Sequence, residues 1–316
     1  MTPHGIFHPI SSEVGEPTFT ILTRKEAARP TTWLSRHGYR IPAGALAALK
    51  PYIKRHATFI AVHYTLPAAT GLRHLRPFQV AFESPTLDLP LHLGRVNAPK
   101  SGQTLQLYTL TRTGRVTTET PRTLRPVADV ALPAAILKDP RPFYDAATSR
   151  AAAHAGASLL EYAWEATWCD PCVATSLTPV ELHRLGAYWV DPKAAPPPDP
   201  LRPDSPTDAS HTPHTVFVTR LYLAYGAKDL RDDVTLVPTD DRNTLQTRFV
   251  IHQPYDGHAT CDALLPYRES LPARRESEAE TLSRLTGWDL VRLRRQLDLP
   301  TPASPAKTWV DDLWKD

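Results

Sequence analysis

The sequence predicts an α+β protein in which a mixed or antiparallel sheet is flanked by helices and interrupted by a long proline-rich loop. Helix-capping signals, a series of alternating strand-like segments and an abrupt change of composition near residue 191 are the observations behind this prediction. The chain has 316 residues, of which 41% are hydrophobic and 22% charged, so it can bury a sizeable core without disulfide bonds.

Helix and strand signals are intermixed in the first half of the chain. Residues 18–23 alternate as a strand, and Thr23 and Glu26 have capping-box spacing, which predicts a helix from there to about Gly38. Pro30 should restart or kink that helix. The remaining predicted elements are a helix over 43–56 and strands over 58–64, 78–83, 87–93 and 105–111.

The second half opens with a predicted helix over 141–155 and a strand over 159–164. Thr178, Pro179 and Glu181 have the pattern of a cap, a first-turn proline and a capping carboxylate, so another helix should begin there and end near Gly186. Later predicted elements are strands over 215–225 and 244–252 and a helical region over 263–299 that is broken at Pro266, Pro272 and Gly287.

Composition divides the chain into five segments. Residues 191–214 are rich in Pro, Ala, Asp, Ser and Thr, which predicts a solvated, disordered loop. The segments are a flexible extension over 1–17, an α+β region over 18–190, the loop over 191–214, strands and helices over 215–299 that should pack on the first region, and a tail over 300–316.

Charge and hydropathy exclude two classes of partner. The formal net charge is only +3 and the basic residues are interleaved with acidic ones, so we expect no nucleic-acid binding. No apolar run approaches the ~18 residues of a membrane span. Residues 1–17 lack a basic start followed by an apolar run, which, taken literally, predicts a cytoplasmic protein.

Two of the three cysteines lie in the run Trp168-Cys169-Asp170-Pro171-Cys172, which has the pattern of a thioredoxin-like active site. In that hypothesis the protein is a thiol-disulfide oxidoreductase, with Cys169 as the attacking thiolate and Cys172 as the resolving thiol. The context argues against it, because a separate helix begins at Thr178-Pro179, where that fold needs one long helix starting at the first cysteine.

A zinc site and a structural role are the alternatives for the cysteines. Cys169, Cys172, His258 and Cys261 are the four ligands that a closed tetrahedral zinc site needs, and would make the protein a zinc-stabilised interaction module. The structural alternative is a disulfide bond from Cys261 to Cys169 or Cys172, or inert buried thiols.

Other catalytic signatures are absent from the sequence. It contains no Gly-x-Ser-x-Gly elbow, glycine-rich phosphate loop, His-Glu-x-x-His pair or calcium loop. We therefore predict no catalytic residues and no cofactor, apart from the zinc alternative.

Motifs distributed along the chain resemble a bacterial family known as domain of unknown function 2330. The motifs of the first half are Trp33-Leu34, Gly38-Tyr39-Arg40-Ile41-Pro42, Leu75-Arg76-Pro77-Phe78, Phe82-Glu83-Ser84 and Leu89-Pro90-Leu91. Those of the second half are the cysteine run, Glu181-Leu182 with Leu185-Gly186, Thr219-Arg220-Leu221, Gln246 with Arg248-Phe249-Val250, and Leu285-Thr286-Gly287-Trp288.

The resemblance implies a secreted or cell-envelope protein, and it implies that family members carry a further N-terminal region with its own cysteines. An oxidising compartment favours the disulfide over zinc. We therefore predict a non-catalytic cell-envelope binding or structural protein stapled by its cysteines. This chain resembles the family without its N-terminal region, so the expected partner is either another protein or that region.

Overall fold

The computed structural model describes residues 17–64, 75, 77–100, 102–155, 158–166, 177–194, 215–226, 232–258 and 260–299. Within these ranges the chain forms helices and both mixed and antiparallel sheets, which confirms the predicted α+β class. None of the helices in the described ranges is both long enough and apolar enough to cross a membrane.

Strands and helices are labelled in chain order. The strands are β1 (Thr18–Ile21), β2 (Ile60–His63), β3 (Leu87–Leu89), β4 (Gln103–Thr111), β5 (Val116–Thr118), β6 (Thr123–Leu124), β7 (Val130–Leu132), β8 (Ser158–Glu165), β9 (Phe217–Tyr225), β10 (Val234–Pro238), β11 (Leu245–Gln246) and β12 (Phe249–Ile251). The α-helices are α1 (Arg24–Ala27), α2 (Pro30–Arg36), α3 (Ala45–Lys54), α4 (Leu91–Gly94), α5 (Arg141–Ala155), α6 (Pro179–Arg184), α7 (Leu264–Thr286) and α8 (Leu290–Gln296).

The chain forms two compact units. The first comprises the chain up to Gln103 together with Tyr225–Leu236, and the second comprises Thr104–Ala224 together with the chain from Val237 onward. The chain therefore leaves the first unit, builds most of the second, and returns to the first for one short segment. The domain boundaries predicted from composition stay predictions, and the predicted extension, proline-rich loop and tail lie almost entirely outside the described residues.

In the first unit, local capping signals define the helices. The predicted capping box is present before α1, because Thr23 N–H donates to Glu26 Oε2 at 2.8 Å and Glu26 N–H donates to Thr23 Oγ1 at 3.4 Å. Pro30 occupies the first turn of α2, where its missing N–H costs nothing, so the predicted restart is confirmed.

One carboxylate ties the returning segment to the rest of the first unit. Asp233 accepts a hydrogen bond from the Tyr52 hydroxyl. It also forms an ion pair with Arg55, whose Nη2 lies 2.9 Å from Asp233 Oδ2. The next residue, Val234, begins an antiparallel pairing with β3 opposite Leu89. This arrangement gives Asp233 a structural role.

The second unit is built on a sheet in the order β11-β8-β9-β4, with β6 pairing on β8. Helix α5 packs on β8 and against α7. One core cluster of the second unit joins β7, α5, α7 and α8, together with the segment that follows β7. Its members are Leu132, Ile136, Phe143, Leu282 and Leu293.

Several predicted boundaries are wrong. Residues 78–83 form no strand, and Phe78 and Phe82 are exposed. The predicted strand over 87–93 stops at Leu89, and that over 244–252 divides into β11 and β12. Alternation alone makes no strand, because a strand also needs a partner for its backbone hydrogen bonds.

Helix α7 also differs from its prediction, since it continues through Pro266 and Pro272. Pro266 lies in the first turn, where no intrahelical N–H bond is lost. Pro272 is interior but exposed, and the burial of Ala279 and Leu282 further along the helix offsets its local cost. The predicted stop at Gly287 is confirmed.

Candidate functional site

A pocket of about 880 Å³ lies in the second unit, which is a size typical of small-molecule sites. Most of the residues that line it are aromatic or aliphatic: Tyr108, Pro126, Val127, Phe143, Tyr144, Ala147, Ala151, Tyr162, Phe249 and Leu285. The polar residues of the lining are Thr148, Arg150, Glu161, Arg220, Gln246, Thr247, Arg248 and Arg284.

Helix α5 supplies one wall of the pocket. Tyr144, Thr148 and Ala151 have the i, i+4, i+7 spacing that places side chains on one face of a helix, and all three line the pocket. At the start of the helix, Asp139 Oδ1 accepts from the Arg141 N–H at 3.3 Å. The first turn is closed by the Tyr144 N–H, which donates to Pro140 O at 3.0 Å, and Tyr144 lies one turn before Thr148.

Strand β8 supplies a carboxylate through a β-bulge. Leu160 lies opposite Leu221 of β9, and Tyr162 lies opposite Arg220, so Glu161 is an extra residue in the register. In a regular strand, consecutive side chains point to opposite faces of the sheet. Here Glu161 and Tyr162 both line the pocket, because the bulge redirects one of them.

The Tyr144 hydroxyl makes three hydrogen bonds in the pocket wall. It donates to Glu161 Oε1 at 2.8 Å, and it accepts from Gln106 Nε2 at 2.9 Å and Arg220 Nη2 at 2.8 Å. A phenol has one proton and two lone pairs, so these bonds use its full capacity. The two donors on its lone pairs orient the Tyr144 proton toward Glu161.

Arg220 joins the three residues into one cluster. Its Nε lies 3.0 Å from Glu161 Oε2, and the two atoms form an ion pair without hydrogen-bond alignment. Its guanidinium carbon lies 5.7 Å from the ring centroids of both Tyr108 and Tyr144, within the range of a cation-π interaction. The side chains of the Tyr144-Glu161-Arg220 cluster therefore contact one another, and Gln106 and Tyr108 add further contacts.

Burial shifts the pKa values of two cluster members. Burial raises the pKa of Glu161, while the Tyr144 hydrogen bond and the Arg220 charge oppose that shift. Burial, reinforced by the hydrogen bond to Glu161 and by its charge, raises the pKa of Tyr144 to about 12. Tyr144 therefore keeps its proton at physiological pH and remains a hydrogen-bond donor.

The cluster is arranged to support a wall rather than to act on a ligand. Glu161 Oε2 and Arg220 Nε are shielded from solvent and have no aligned hydrogen-bond partner among the described residues. A bound molecule that used Glu161 Oε2 would compete with Arg220, whose Nε lies 3.0 Å from that oxygen. The rest of the lining consists of aromatic and aliphatic groups, three further arginines, Thr148, Gln246 and Thr247.

The sequence-predicted cysteine site falls largely outside this description. Cys169 and Cys172 lie outside the described residues, so their redox, zinc and disulfide roles stay predictions. His258 and Cys261 are both exposed, and Cys261 forms no disulfide with a described residue. No group of three metal-ligating side chains occurs in the ranges that the structure describes.

Sequence reasoning missed the Tyr144-Glu161-Arg220 cluster as a site. The signal available was a charged residue inside each of two apolar strands, Glu161 in β8 and Arg220 in β9. Charges are rarely buried unless paired, so the two strands could have been matched through them. The contribution of Tyr144 from a helix had no comparable signal.

In a comparison with protein-family models, residues 9–237 match the family described as "Uncharacterized protein conserved in bacteria (DUF2330)". The chain belongs to this bacterial family. The DUF2330 match includes Tyr144, Glu161 and Arg220, and it ends before Gln246, Arg248 and α7. The motifs of the resemblance after residue 237 therefore lie outside the matched region. No curated protein matches the chain, and no solved structure does.

Proposed function

We propose that this DUF2330 protein is a non-catalytic binding protein of the bacterial cell envelope and that its ligand is a small molecule with an apolar body. The pocket of about 880 Å³ in the second unit is the observation that carries the proposal. The cell-envelope setting rests on the family resemblance alone.

Rigid aromatic side chains give the pocket a defined shape. Phe143 packs edge-to-face on Phe249, with ring centroids 5.1 Å apart and planes at 85°. Tyr144 is held at its hydroxyl, and its ring contacts Tyr222 edge-to-face at 6.2 Å. Side chains that are already ordered lose little further entropy when a ligand binds, which favours affinity.

The polar cluster supports binding rather than catalysis. A general acid or base must come within hydrogen-bond distance of the reacting group. Tyr144 has no hydrogen-bonding capacity left, and the second oxygen of Glu161 is covered by Arg220. Both side chains therefore stabilise the wall of the pocket.

Titration with the neutral fluorescent probe N-phenyl-1-naphthylamine tests the proposal. We expect saturable binding of one probe per chain with micromolar affinity. Substitution Val127→Trp should weaken binding at least about tenfold, since Val127 lines the pocket and is 49% exposed, so the larger ring can enter the pocket without repacking a core.

Val180→Trp is the matched control, because Val180 is also an exposed valine and does not line the pocket. It should bind the probe like the wild type, and circular dichroism should show both variants folded. If the wild type fails to bind the probe, or if both variants bind it equally, the proposed function is wrong.

A further inference from the structure

The charged residues of the pocket are unevenly balanced. Within the described residues, its lining contains four arginines and one carboxylate, Glu161. Arg220 forms its ion pair with that carboxylate, so the charge of this pair is internally compensated. The other arginines of the lining, Arg150, Arg248 and Arg284, are exposed, and we call them the rim arginines.

Two of the rim arginines are available to a ligand. Arg248 lies 3.9 Å from Asp129, but the two side chains are 65% and 71% exposed, so this ion pair is weak. Arg284 forms no ion pair with any residue that the structure describes. Arg248 follows β11 and Arg284 lies in the last turn of α7, so different elements bring positive charge to the lining of one pocket.

The surroundings of these charges increase their effect. A cleft lined by one sign of charge raises the local concentration of ions of the opposite sign, and the apolar and aromatic walls lie beside these exposed charges. An anionic group at the rim would remain partly hydrated while an attached apolar body entered the pocket. This division matches the distribution of polar and apolar groups in the lining.

We infer that the ligand is an organic anion whose apolar body lies on the aromatic wall of the pocket and whose carboxylate, sulfonate or phosphate group meets Arg248 and Arg284 at the rim. The inference rests on the proposed function and specifies its ligand class. Arginine suits this role because its guanidinium presents several donors to an oxyanion and stays charged at all physiological pH values.

Two probes that share one apolar body separate the charge from the pocket. 8-Anilino-1-naphthalenesulfonate carries a sulfonate, whereas N-phenyl-1-naphthylamine has the same ring system without it. We expect the wild type to bind the sulfonate about fivefold more tightly than the neutral probe at low ionic strength. This preference should shrink as salt is added, since exposed charges are screened.

The double variant Arg248→Gln/Arg284→Gln should bind both probes with nearly equal affinity. Its matched control is Arg292→Gln/Arg295→Gln, which removes the same charge from exposed positions on α8 outside the pocket and should keep the fivefold preference. Near-ultraviolet circular dichroism should show that all variants keep native packing.

The outcomes separate this inference from the proposed function. If the neutral probe binds and Val127→Trp blocks it, but the sulfonate gives no advantage, the ligand-class inference is overturned and the pocket proposal stands. Equal loss of the sulfonate preference in both double variants also overturns the inference, because the effect would then come from net charge. If neither probe binds, both proposals are wrong.

Discussion

Glu161 occupies a position that no regular strand could give it. One extra residue in β8 lets Glu161 and Tyr162 face the same pocket, and Arg220 lies opposite them on the neighbouring strand. The carboxylate is costly to bury, and the Tyr144 hydrogen bond and the Arg220 ion pair offset that cost. The Glu161 carboxylate fixes the orientation of Tyr144 and Arg220, which both line the pocket.

Glu278 is a second buried carboxylate, and its role is different. Its side chain is only 7% exposed, and His252 Nδ1 lies 3.6 Å from Oε1, too far for a hydrogen bond. Burial raises its pKa, against the effects of His252, Arg274 and Arg275. A carboxyl group whose pKa is higher in the folded state favours folding at low pH, and this stabilisation is lost as pH rises through the folded-state pKa.

We therefore expect Glu278→Gln to stabilise the protein at pH 8, because the neutral amide removes the buried charge. The melting temperature should rise by roughly 2–4 °C, and the difference from wild type should shrink as pH falls toward the pKa of Glu278. Differential scanning calorimetry between pH 5 and pH 8 measures both effects. Glu280→Gln, an exposed change on the same helix, should have little effect at either pH; a variant with no pH-dependent gain at Glu278 would contradict this account.

At the scale of secondary-structure elements, the C-terminus of α7 links a helix stop to the pocket rim. Gly287 has φ +76° and donates its N–H to Ser283 O at 2.7 Å, which is a glycine cap. A Cβ at this position would lie 2.8 Å from Arg150 Nη1. The glycine therefore permits both the left-handed backbone and the observed position of a rim arginine.

Gly287→Ala should lower the free energy of unfolding by about 1 kcal/mol for the backbone conformation, and by a smaller further amount because the flexible end of Arg150 must move. Gly38→Ala provides the matched control, since Gly38 has φ +79° and open space where its Cβ would lie. Urea denaturation of the two variants separates the two costs. An equal loss of unfolding free energy in the two variants would mean that the contact with Arg150 adds nothing to the cost of Gly287→Ala.

Local signals predicted the elements well where the cause is local. The capping boxes at Thr23 and Thr178 and the glycine stop at Gly287 are all observed, because each depends on residues within one turn. The wrong predictions concern elements whose formation depends on tertiary contacts. Examples are the continuation of α7 through Pro272 and the absence of a strand over 78–83. The bulge at Glu161 had no local signal, since it depends on the register with β9.

At the scale of the whole molecule, the order of residues in the chain conceals the pocket. Its walls come from β4, α5, β8, β9, β11, β12 and α7, and the intervening chain includes the return to the first unit over Tyr225–Leu236. The family match shares this limit, because it ends at residue 237 and omits the two rim arginines used in the ligand-class inference. Capping signals and alternating segments predicted an α+β protein, but only the fold brings these segments together.

The pairing of the cysteines is also a property of the whole molecule, since a disulfide from Cys261 to Cys169 or Cys172 would join distant parts of the sequence. Cys261 is exposed and would react readily with iodoacetamide if its thiol were free. The disulfide hypothesis predicts that Cys261 of the native, oxidised protein stays unmodified until a reductant is added, because it is paired with Cys169 or Cys172.

Intact mass and peptide mapping measure this directly, before and after reduction. Labelling of Cys261 before reduction, in metal-free protein, would rule out its disulfide. Labelling only after chelation, with loss of a bound metal ion, would instead support the zinc site of Cys169, Cys172, His258 and Cys261. A Cys172→Ser variant that traps mixed disulfides through Cys169 would support the oxidoreductase hypothesis, since thiol-disulfide exchange passes through a mixed disulfide that accumulates when the resolving thiol is removed.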